Sequence, residues 1–447
     1  MFRKVLVANR GEIARRVIGA CRQLGVKSVA VYSEADRDAP HVADASEAQP
    51  IGPAPARQSY LDIEAVVGAA CRSGAEAIHP GYGFLSENWR FAMACAEAGL
   101  TFVGPPAEAI RAMGDKTEAR RVMQAAGVPV VPGSPGPIRD ATESERVAAE
   151  IGFPVMPKAA AGGGIGMARV ARPADLSSAF ATARGRADAA FGDGALYLER
   201  YLGRPRHVEI QMFGDAQGTV VHLPERECSI QRRHQKLVEE SPAPGLSAET
   251  KEQLASAAVR GARAIGYVNA GTMEFLVDAA GGFYFLETNT RLQVEHPVTE
   301  EVTGLDLVIA QLRVAAGESL PWRQDDIRQR GAALECRIYA EDTAKRFLPS
   351  LGTITRLTVP AGEGIRVESG VVSGSAVSVH YDPLLMKLIA HGDSRGQAME
   401  RMVKALDECV VEGVPTPIPF LSRVLRHADF RRGAVHTQIV EQGAFNA

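Results

Sequence analysis

Gly281-Gly-Phe-Tyr-Phe-Leu-Glu287-Thr-Asn289-Thr-Arg291-Leu-Gln293-Val-Glu295-His-Pro297 begins as an apolar strand, Phe283 to Leu286, and continues as a ribbon with Glu287, Asn289 and Arg291 at every second position. In an extended chain those three side chains share one face. Glu295 follows shortly after, and Pro297 limits further regular pairing. The preceding Gly271-Thr-Met-Glu274-Phe-Leu-Val-Asp278 also reads as a strand, with Ala279-Ala-Gly-Gly282 as the hairpin loop. Symmetric closure predicts the pairs Asp278–Phe283, Leu276–Phe285 and Glu274–Glu287. Two carboxylates directly opposite repel each other. A hard divalent cation between them removes the conflict, and Mg²⁺ accompanying nucleotide phosphates is the common oxygen-liganded case. A solvated hairpin face is the alternative. The Phe, Leu and Val residues on both faces argue against it.

The composition leaves room for such a small-molecule site. The chain has 447 residues, enough for two to four packed layers or domains. Lys+Arg is 50 against Asp+Glu 53, so nothing points to nucleic acid or an anionic membrane as partner. No apolar run reaches transmembrane length, and the N-terminal apolar run is too short for a signal peptide. Cys21, Cys71, Cys95, Cys228, Cys336 and Cys409 form no CxxC pair. They read as reduced thiols in a cytoplasmic protein.

Upstream, short strands (Lys4 to Ala8, Val29 to Tyr32, Ala77 to His79, Thr101 to Val103) alternate with helical segments, the pattern of a parallel sheet covered on both faces. The first turn, Asn9-Arg-Gly11-Glu12, lacks the GxGxxG of a dinucleotide fold. His79-Pro-Gly-Tyr82-Gly-Phe84-Leu-Ser-Glu87-Asn88 is a loop at a strand's C-terminal end, where open α/β sheets place ligands. Lys116 sits at a helix start, where a cation opposes the dipole. Val128 to Pro137 is a Pro/Gly hinge. Lys158 precedes Gly162-Gly163-Gly164-Ile-Gly166, a glycine run able to fold over phosphates. Leu196 to Leu202 is a further strand, and Arg206 to Phe213 alternates so that His207, Glu209 and Gln211 share a face, read alone as a solvent face. Glu225 to Lys236 is densely polar, which usually means exposure. After Trp322 a third, α+β region opens with Glu335, Arg337 and Tyr339 on one strand face.

These motifs, in this order and over nearly the whole chain, resemble biotin carboxylase, a member of the ATP-grasp superfamily. The resemblance implies an ATP- and bicarbonate-dependent carboxylation of biotin through carboxyphosphate. It makes Glu274, Glu287 and Asn289 the ligands of Mg²⁺ or Mn²⁺. It assigns ATP to Lys116, Lys158, Gly163, Gly164, Glu199, Arg200, Tyr201, Leu202, His207, Gln231 and His234. Bicarbonate falls to Lys236, Arg291, Gln293, Val294 and Glu295, with Glu295 the general base, and biotin to Tyr82 and Arg337. Lys236, Arg291, Glu295 and Arg337 carry the catalysis. The chain departs from the family at the glycine run, one residue short, and at Pro157, which cannot donate a strand hydrogen bond.

The resulting expectation is an α/β protein in three parts: a Rossmann-like N-terminal domain at 1–114, an ATP-grasp domain at 115–330 with a lid near 131–203, and a C-terminal α+β domain at 331–447. Met386-Lys387 mimics the core of a biotinyl-lysine site, but its surroundings resemble the family's own C-terminal domain. Biotin is therefore expected on a separate biotin carboxyl carrier protein, with carboxyltransferase subunits as further partners and a homodimer as the family's frequent state. The activity would be the first half-reaction of an acetyl- or acyl-CoA carboxylase, as in fatty acid biosynthesis. The sequence leaves the final acceptor open. A different ATP-grasp carboxylate–amine ligase and a non-catalytic nucleotide-binding module are the competing readings.

Overall fold

The computed structural model describes residues 1–138, 140–159, 169–192 and 194–445. Gly163 and Gly164, and the shortened glycine run with them, lie outside the described residues.

Five parallel strands, β1 (Lys4–Val7), β2 (Lys27–Ser33), β3 (Glu47–Gly52), β4 (Ala77–His79) and β5 (Thr101–Phe102), pair in the order β3-β2-β1-β4-β5. Alternate strand residues enter different cores. Leu6, Val29, Val31 and Ile78 pack with Val66, Ala69 and Phe91. Val5, Val7 and Ala30 pack with Ile13, Val17 and Ile18 of the helix Gly11–Gln23, and also with Phe213, Leu292 and Leu312 from later in the chain. Burial of both faces is what a parallel sheet requires, and the second core fixes this sheet against the rest of the molecule.

Strands β6 (Val155–Ala159) and β7 (Leu196–Arg200) form an antiparallel pair under the helices Ala141–Ile151 and Leu176–Phe191. Their core, including Val147, Val155, Phe180 and Leu198, draws only on residues between 138 and 198. Pro157 costs this pair no hydrogen bond. It faces Leu198, whose amide and carbonyl are both engaged by Ser134, at 3.2 and 2.8 Å. The missing N–H thus falls on the side of β6 away from β7, and the expected loss of a donor to that partner does not occur.

The largest sheet among the described residues has nine strands. Its order is β13 (Phe283–Asn289), β12 (Asn269–Val277), β8 (Arg206–Gly214), β10 (Arg226–Arg232), β11 (Gln235–Ser241), β14 (Ala332–Tyr339), Leu384–Gly392 and Ile365–Ser369, with β9 (Val220–His222) beside β8. β11 pairs with β14, so the sheet runs unbroken across the expected boundary at 330/331. On one face Val208, Ile210, Met212, Met273 and Phe275 pack against Leu254, Ala257 and Ala258 of the helix Ala248–Ala264. The opposite face of the same strands is polar.

The β12–β13 hairpin corrects the expected register. Glu274 does face Glu287, but below that pair Phe275 faces Phe285, Leu276 faces Tyr284 and Val277 faces Phe283. Leu286 is the extra residue of a β-bulge. The turn is also longer than expected, because Asp278 leaves the strand and its carboxylate accepts the amides of Ala280 and Gly282. The longer turn and the bulge offset each other, which is why the symmetric count still brought the two glutamates together.

Candidate active site

The strand registers build a row of carboxylates. Glu287 on β13 lies opposite Glu274 on β12, Glu274 lies opposite Glu209 on β8, and Glu209 lies opposite Arg226 on β10. The predicted repulsion therefore extends over three strands. Two buried cations relieve most of it. Arg226 donates from Nε to Glu209 at 2.5 Å and from its other nitrogens to Gln211, Thr299 and Thr272. Lys236 Nζ bridges Glu209 (2.6 Å), Glu274 (2.9 Å) and Glu295 (2.6 Å), and reaches the Gln293 amide oxygen at 3.3 Å. Buried charges persist only when paired and hydrogen-bonded in this way.

Glu274 is the most heavily engaged. Its Oε1 accepts Lys236, Asn289 and Gln293, and its Oε2 lies 3.0 Å from His207 Nε2. Burial pushes its carboxyl up, but Lys236 and His207 outweigh that and hold it well below the usual range. Gln231 donates to His207 Nδ1 at 3.3 Å, which leaves the proton on Nε2, facing Glu274. Burial would lower the imidazole, yet Glu274 raises it.

Glu287 differs. Its side chain reaches the opening of the site and makes no ion pair among the described residues. Partial exclusion of water, then the charge of Glu274, raise its carboxyl above the ordinary range, while His207 and Lys116 pull the other way. The donor set of Glu274, Glu287 and the Asn289 amide is all oxygen and fits Mg²⁺ or Mn²⁺, and the uncompensated charge at Glu287 is the place where such an ion is needed. His207, Glu209 and Glu274 also offer ligand atoms within 4.8 Å of one another, but there Lys236 already supplies the cation.

Beyond β13 the chain turns under the same cluster. Arg291 is fixed by Glu87 at 2.8 Å, by the Asn289 amide oxygen at 2.8 Å and by the Leu292 carbonyl at 3.2 Å. Glu295 is fully buried between Lys236 and Arg337, the latter 2.9 Å from its second oxygen. Burial works to raise the Glu295 carboxyl, and Lys236, Arg337 and Arg226 together hold it far below the ordinary range. Arg337 also donates to Glu239 at 2.6 Å and to Tyr339 at 3.4 Å. Burial, partly countered by Arg337, pushes Glu239 up to about 7.

The Val294 carbonyl accepts Lys387 Nζ at 2.8 Å. Lys387 is fully buried and also pairs with Glu368 (2.8 Å) and Glu12 (3.3 Å). The false biotinyl-lysine motif is thus a strut joining the N- and C-terminal regions to the Gln293–Glu295 turn. The Tyr82 ring lies 5.9 Å from the same ammonium, and its loop is pinned by Asn9, which donates to the carbonyls of Pro80 and Tyr82 at 2.7 Å each.

The remaining candidates lie around this cluster. Lys116 opens the helix Lys116–Ala125 and is exposed, with Asp115 as its N-cap. Lys158 pairs with Glu199 at 2.5 Å, and Glu199 also takes Arg120 of that helix at 2.9 Å. Arg200 is exposed; Tyr201 accepts Gln438 at 2.9 Å, and Leu202 is half-buried beside it. His234 is exposed at the β10–β11 turn with φ +68°, and among the described residues no hydrogen bond ties it to the cluster.

Sequence reasoning missed Glu209, Arg226, Glu239, Glu87 and Lys387. For Glu209 the signal was present, since β8 is apolar at Val208, Ile210 and Met212, and an alternating polar face on a central strand must find buried partners. The Glu225 to Lys236 run read as exposed, yet β10 and β11 are buried almost throughout.

Residues 1–110 match the family described as Biotin carboxylase, N-terminal domain, residues 115–323 the Carbamoyl-phosphate synthase L chain, ATP binding domain, and residues 335–442 the Biotin carboxylase C-terminal domain. The chain is 52% identical over 441 residues to the biotin carboxylase of Halalkalibacterium halodurans, covering 98% of this chain and 97% of that one. It is also 52% identical to the mitochondrial methylcrotonoyl-CoA carboxylase subunit alpha of Glycine max, of which it spans 60%. Among solved structures, the bicarbonate-bound biotin carboxylase domain of a thermophilic 2-oxoglutarate carboxylase superposes with a TM-score of 0.96 at 48% identity, covering 100% of both chains. Biotin carboxylase from Campylobacter jejuni, in a β-γ-ATP complex, gives 0.93 at 46%, covering 99% of both. With all three regions matched in order, and a relative of nearly equal length sharing 52% of the aligned residues, this chain belongs to the biotin carboxylase family.

Proposed function

We infer that this chain is an ATP-dependent ligase that carboxylates biotin with bicarbonate. The observation that carries the reading is the Lys236 ammonium held jointly by Glu209, Glu274 and Glu295, with Arg291 and Arg337 on either side. Nothing about strand formation requires that concentration of charge. It is a site built for anions whose cations rest on the protein's own carboxylates.

Bicarbonate is a poor electrophile at neutral pH, and phosphorylation by ATP gives it a leaving group. Glu274, Glu287 and Asn289 would hold Mg²⁺ or Mn²⁺, whose charge would offset that of the nucleotide phosphates. Lys116, Lys158 and His207 neutralise the phosphates from the protein side. Lys158 rests on Glu199 in the structure and exchanges that carboxylate for phosphate. Arg291 presents its planar fork to bicarbonate, held in place by Glu87.

Glu295 takes the bicarbonate proton as the oxygen attacks the γ-phosphorus and ADP leaves. As it stands, Glu295 is a weak base, because Lys236 and Arg337 stabilise its anion. Incoming anions compete for those two cations and return basicity to Glu295 when the substrate is in place. Carboxyphosphate then yields CO₂ and phosphate, phosphate removes the biotin ureido proton, and the nitrogen attacks CO₂. Arg337 stabilises the ureido anion, with Tyr82 at the edge of the site.

We divide the work among the regions 1–114, 115–330 with a lid at about 131–203, and 331–447. The biotin is carried by a separate carrier protein, and a carboxyltransferase passes the carboxyl group to an acyl-CoA or another acceptor. The protein works in the cytoplasm as a homodimer. No helix among the described residues is long and apolar enough to cross a membrane.

The test is ATP cleavage measured with and without bicarbonate and free biotin. Cleavage that needs bicarbonate and rises with biotin is expected. Cleavage driven by another amine acceptor, or ATP binding with no turnover, would overturn the reading.

A further inference from the structure

We propose that an exposed apolar rim at Leu348, Leu351 and Val379 is the docking surface for the protein that carries biotin. The inference rests on the proposed carboxylation of carrier-borne biotin and names where that carrier sits.

These side chains are 59%, 55% and 70% exposed, unusual for large aliphatic residues in a chain that buries most of its leucines and valines. The backbone gathers them. Leu348–Pro349 pairs with Glu341–Asp342, and the Ser350 amide bonds the Ala340 carbonyl at 2.9 Å. Gly352 and Thr353 pair with Val377 and Ala376, which lays the Ser350–Leu351 stretch alongside Ser378–Val379.

This rim is continuous with the biotin side of the site. Glu341 and Asp342 directly extend β14, on which Arg337 contacts Tyr339 at 3.4 Å. Two residues after Val379, Tyr381 packs edge-on against Tyr60 and Phe84, and Phe84 belongs to the loop that carries Tyr82. A partner seated on the rim therefore rests between the two elements that hold the biotin-side residues.

Charge selects the partner. Arg346 is exposed beside Leu348, next to Lys345, which pairs with Asp342 at 3.2 Å, and Arg233 is exposed on the β10–β11 turn, which is drawn against this segment by Arg232 stacking on Phe347 at 4.6 Å. An apolar patch with a basic border fits an acidic carrier face around its biotinyl-lysine. A second copy of this chain is the weaker fit, because it would cover the route by which biotin arrives.

The experiment compares free biotin with a purified, acidic, fully biotinylated carrier protein as substrates of the full chain. Leu348→Ser combined with Leu351→Ser should lower kcat/KM for the carrier by roughly tenfold or more, the scale of lost interface anchors. kcat/KM for free biotin should stay within about twofold, since neither residue touches the site. Arg346→Glu alone should weaken carrier turnover most at low salt, and serves as a milder variant should the double substitution fold poorly. Unchanged carrier turnover in both variants would overturn the proposal. So would equal losses with carrier and free biotin, or a change in oligomeric state with carrier turnover intact. A wild-type protein that carboxylates neither form would instead remove the functional reading, and this inference with it.

Discussion

Replacing Arg337 with alanine separates structure from chemistry in a way the geometry makes calculable. Arg337 is buried and makes charge-assisted hydrogen bonds to Glu239 at 2.6 Å and Glu295 at 2.9 Å. Breaking a buried ion pair by removing one partner costs about 3–5 kcal/mol, because the other charge stays behind. Much of that cost falls on Glu239, which has no other cation in contact among the described residues. A second variant, Arg337→Ala with Glu239→Gln, removes the stranded carboxylate and should recover a large part of the lost Tm. Carboxylation of free biotin should fall by ~10²–10³-fold in both variants, the scale for losing an anion-stabilising donor. Bicarbonate-dependent ATP cleavage should fall far less. Loss of Arg337 lets the Glu295 carboxyl climb back toward the ordinary range, which makes it a better base for bicarbonate. Tm by calorimetry and the two assays on the same preparations decide the matter. If the double variant regains carboxylation together with stability, Arg337 is structural. If both assays lose equally, it belongs to the ATP step.

Glu287→Gln should leave the metal-free Tm unchanged or slightly raised, since it removes a repelled charge, while weakening Mn²⁺ binding measured by paramagnetic resonance and most turnover. Glu274→Gln should lose Tm as well, because four side chains rest on that carboxylate; identical behaviour of the two variants would refute the asymmetry. Glu12 is pushed up to about 8 by burial, with Lys387 opposing. A carboxyl raised in the fold contributes most stability below its unfolded value and loses that contribution as pH rises from there to its folded value, so Tm should fall between about pH 5 and about 8 and level off above it, and Glu12→Gln should flatten the fall. Lys387→Met should raise the bicarbonate KM more than the ATP KM, by loosening the Val294 carbonyl, and Lys387→Arg should recover part of the loss; parallel changes in both KM values would reduce Lys387 to scaffold. Inserting one glycine after Gly164 together with Pro157→Ile should lower the ATP KM, whereas Pro157→Ile alone should change little, since Pro157 withholds no hydrogen bond from β7; an unchanged KM in the first variant would show the shorter run to be harmless.

Local pattern and residue type carried the sequence reading a long way. The parallel sheet followed from strands alternating with helices, and the Glu274–Glu287 pair from counting across a turn. The count succeeded through two deviations that offset each other, because neither the bulge at Leu286 nor the turn formed by Asp278 leaves a hydrophobic signature. The unbroken sheet across β11 and β14 could not be read either. It depends on a pairing between strands about a hundred residues apart, and each strand has the same apolar alternation whichever neighbour it takes.

The partners of the charged residues were the least legible part, and the reason is physical. A glutamate on a strand reads as solvent-facing until its cation is known, and cations here arrive from distant segments: Lys236 and Arg226 to Glu209, Arg337 to Glu295, Lys387 to Val294. Once assembled, the cluster explains how a site of such charge density holds together. Of the cations assigned to substrate in the proposed mechanism, Lys158, Lys236, Arg291 and Arg337 are each neutralised by a carboxylate, so binding there would exchange partners rather than bury new bare charge. The cost of desolvating these groups is met when the protein folds. That favours substrates carrying enough negative charge to displace the internal carboxylates, and disfavours neutral molecules of the same shape, which would break ion pairs and offer no charge in return.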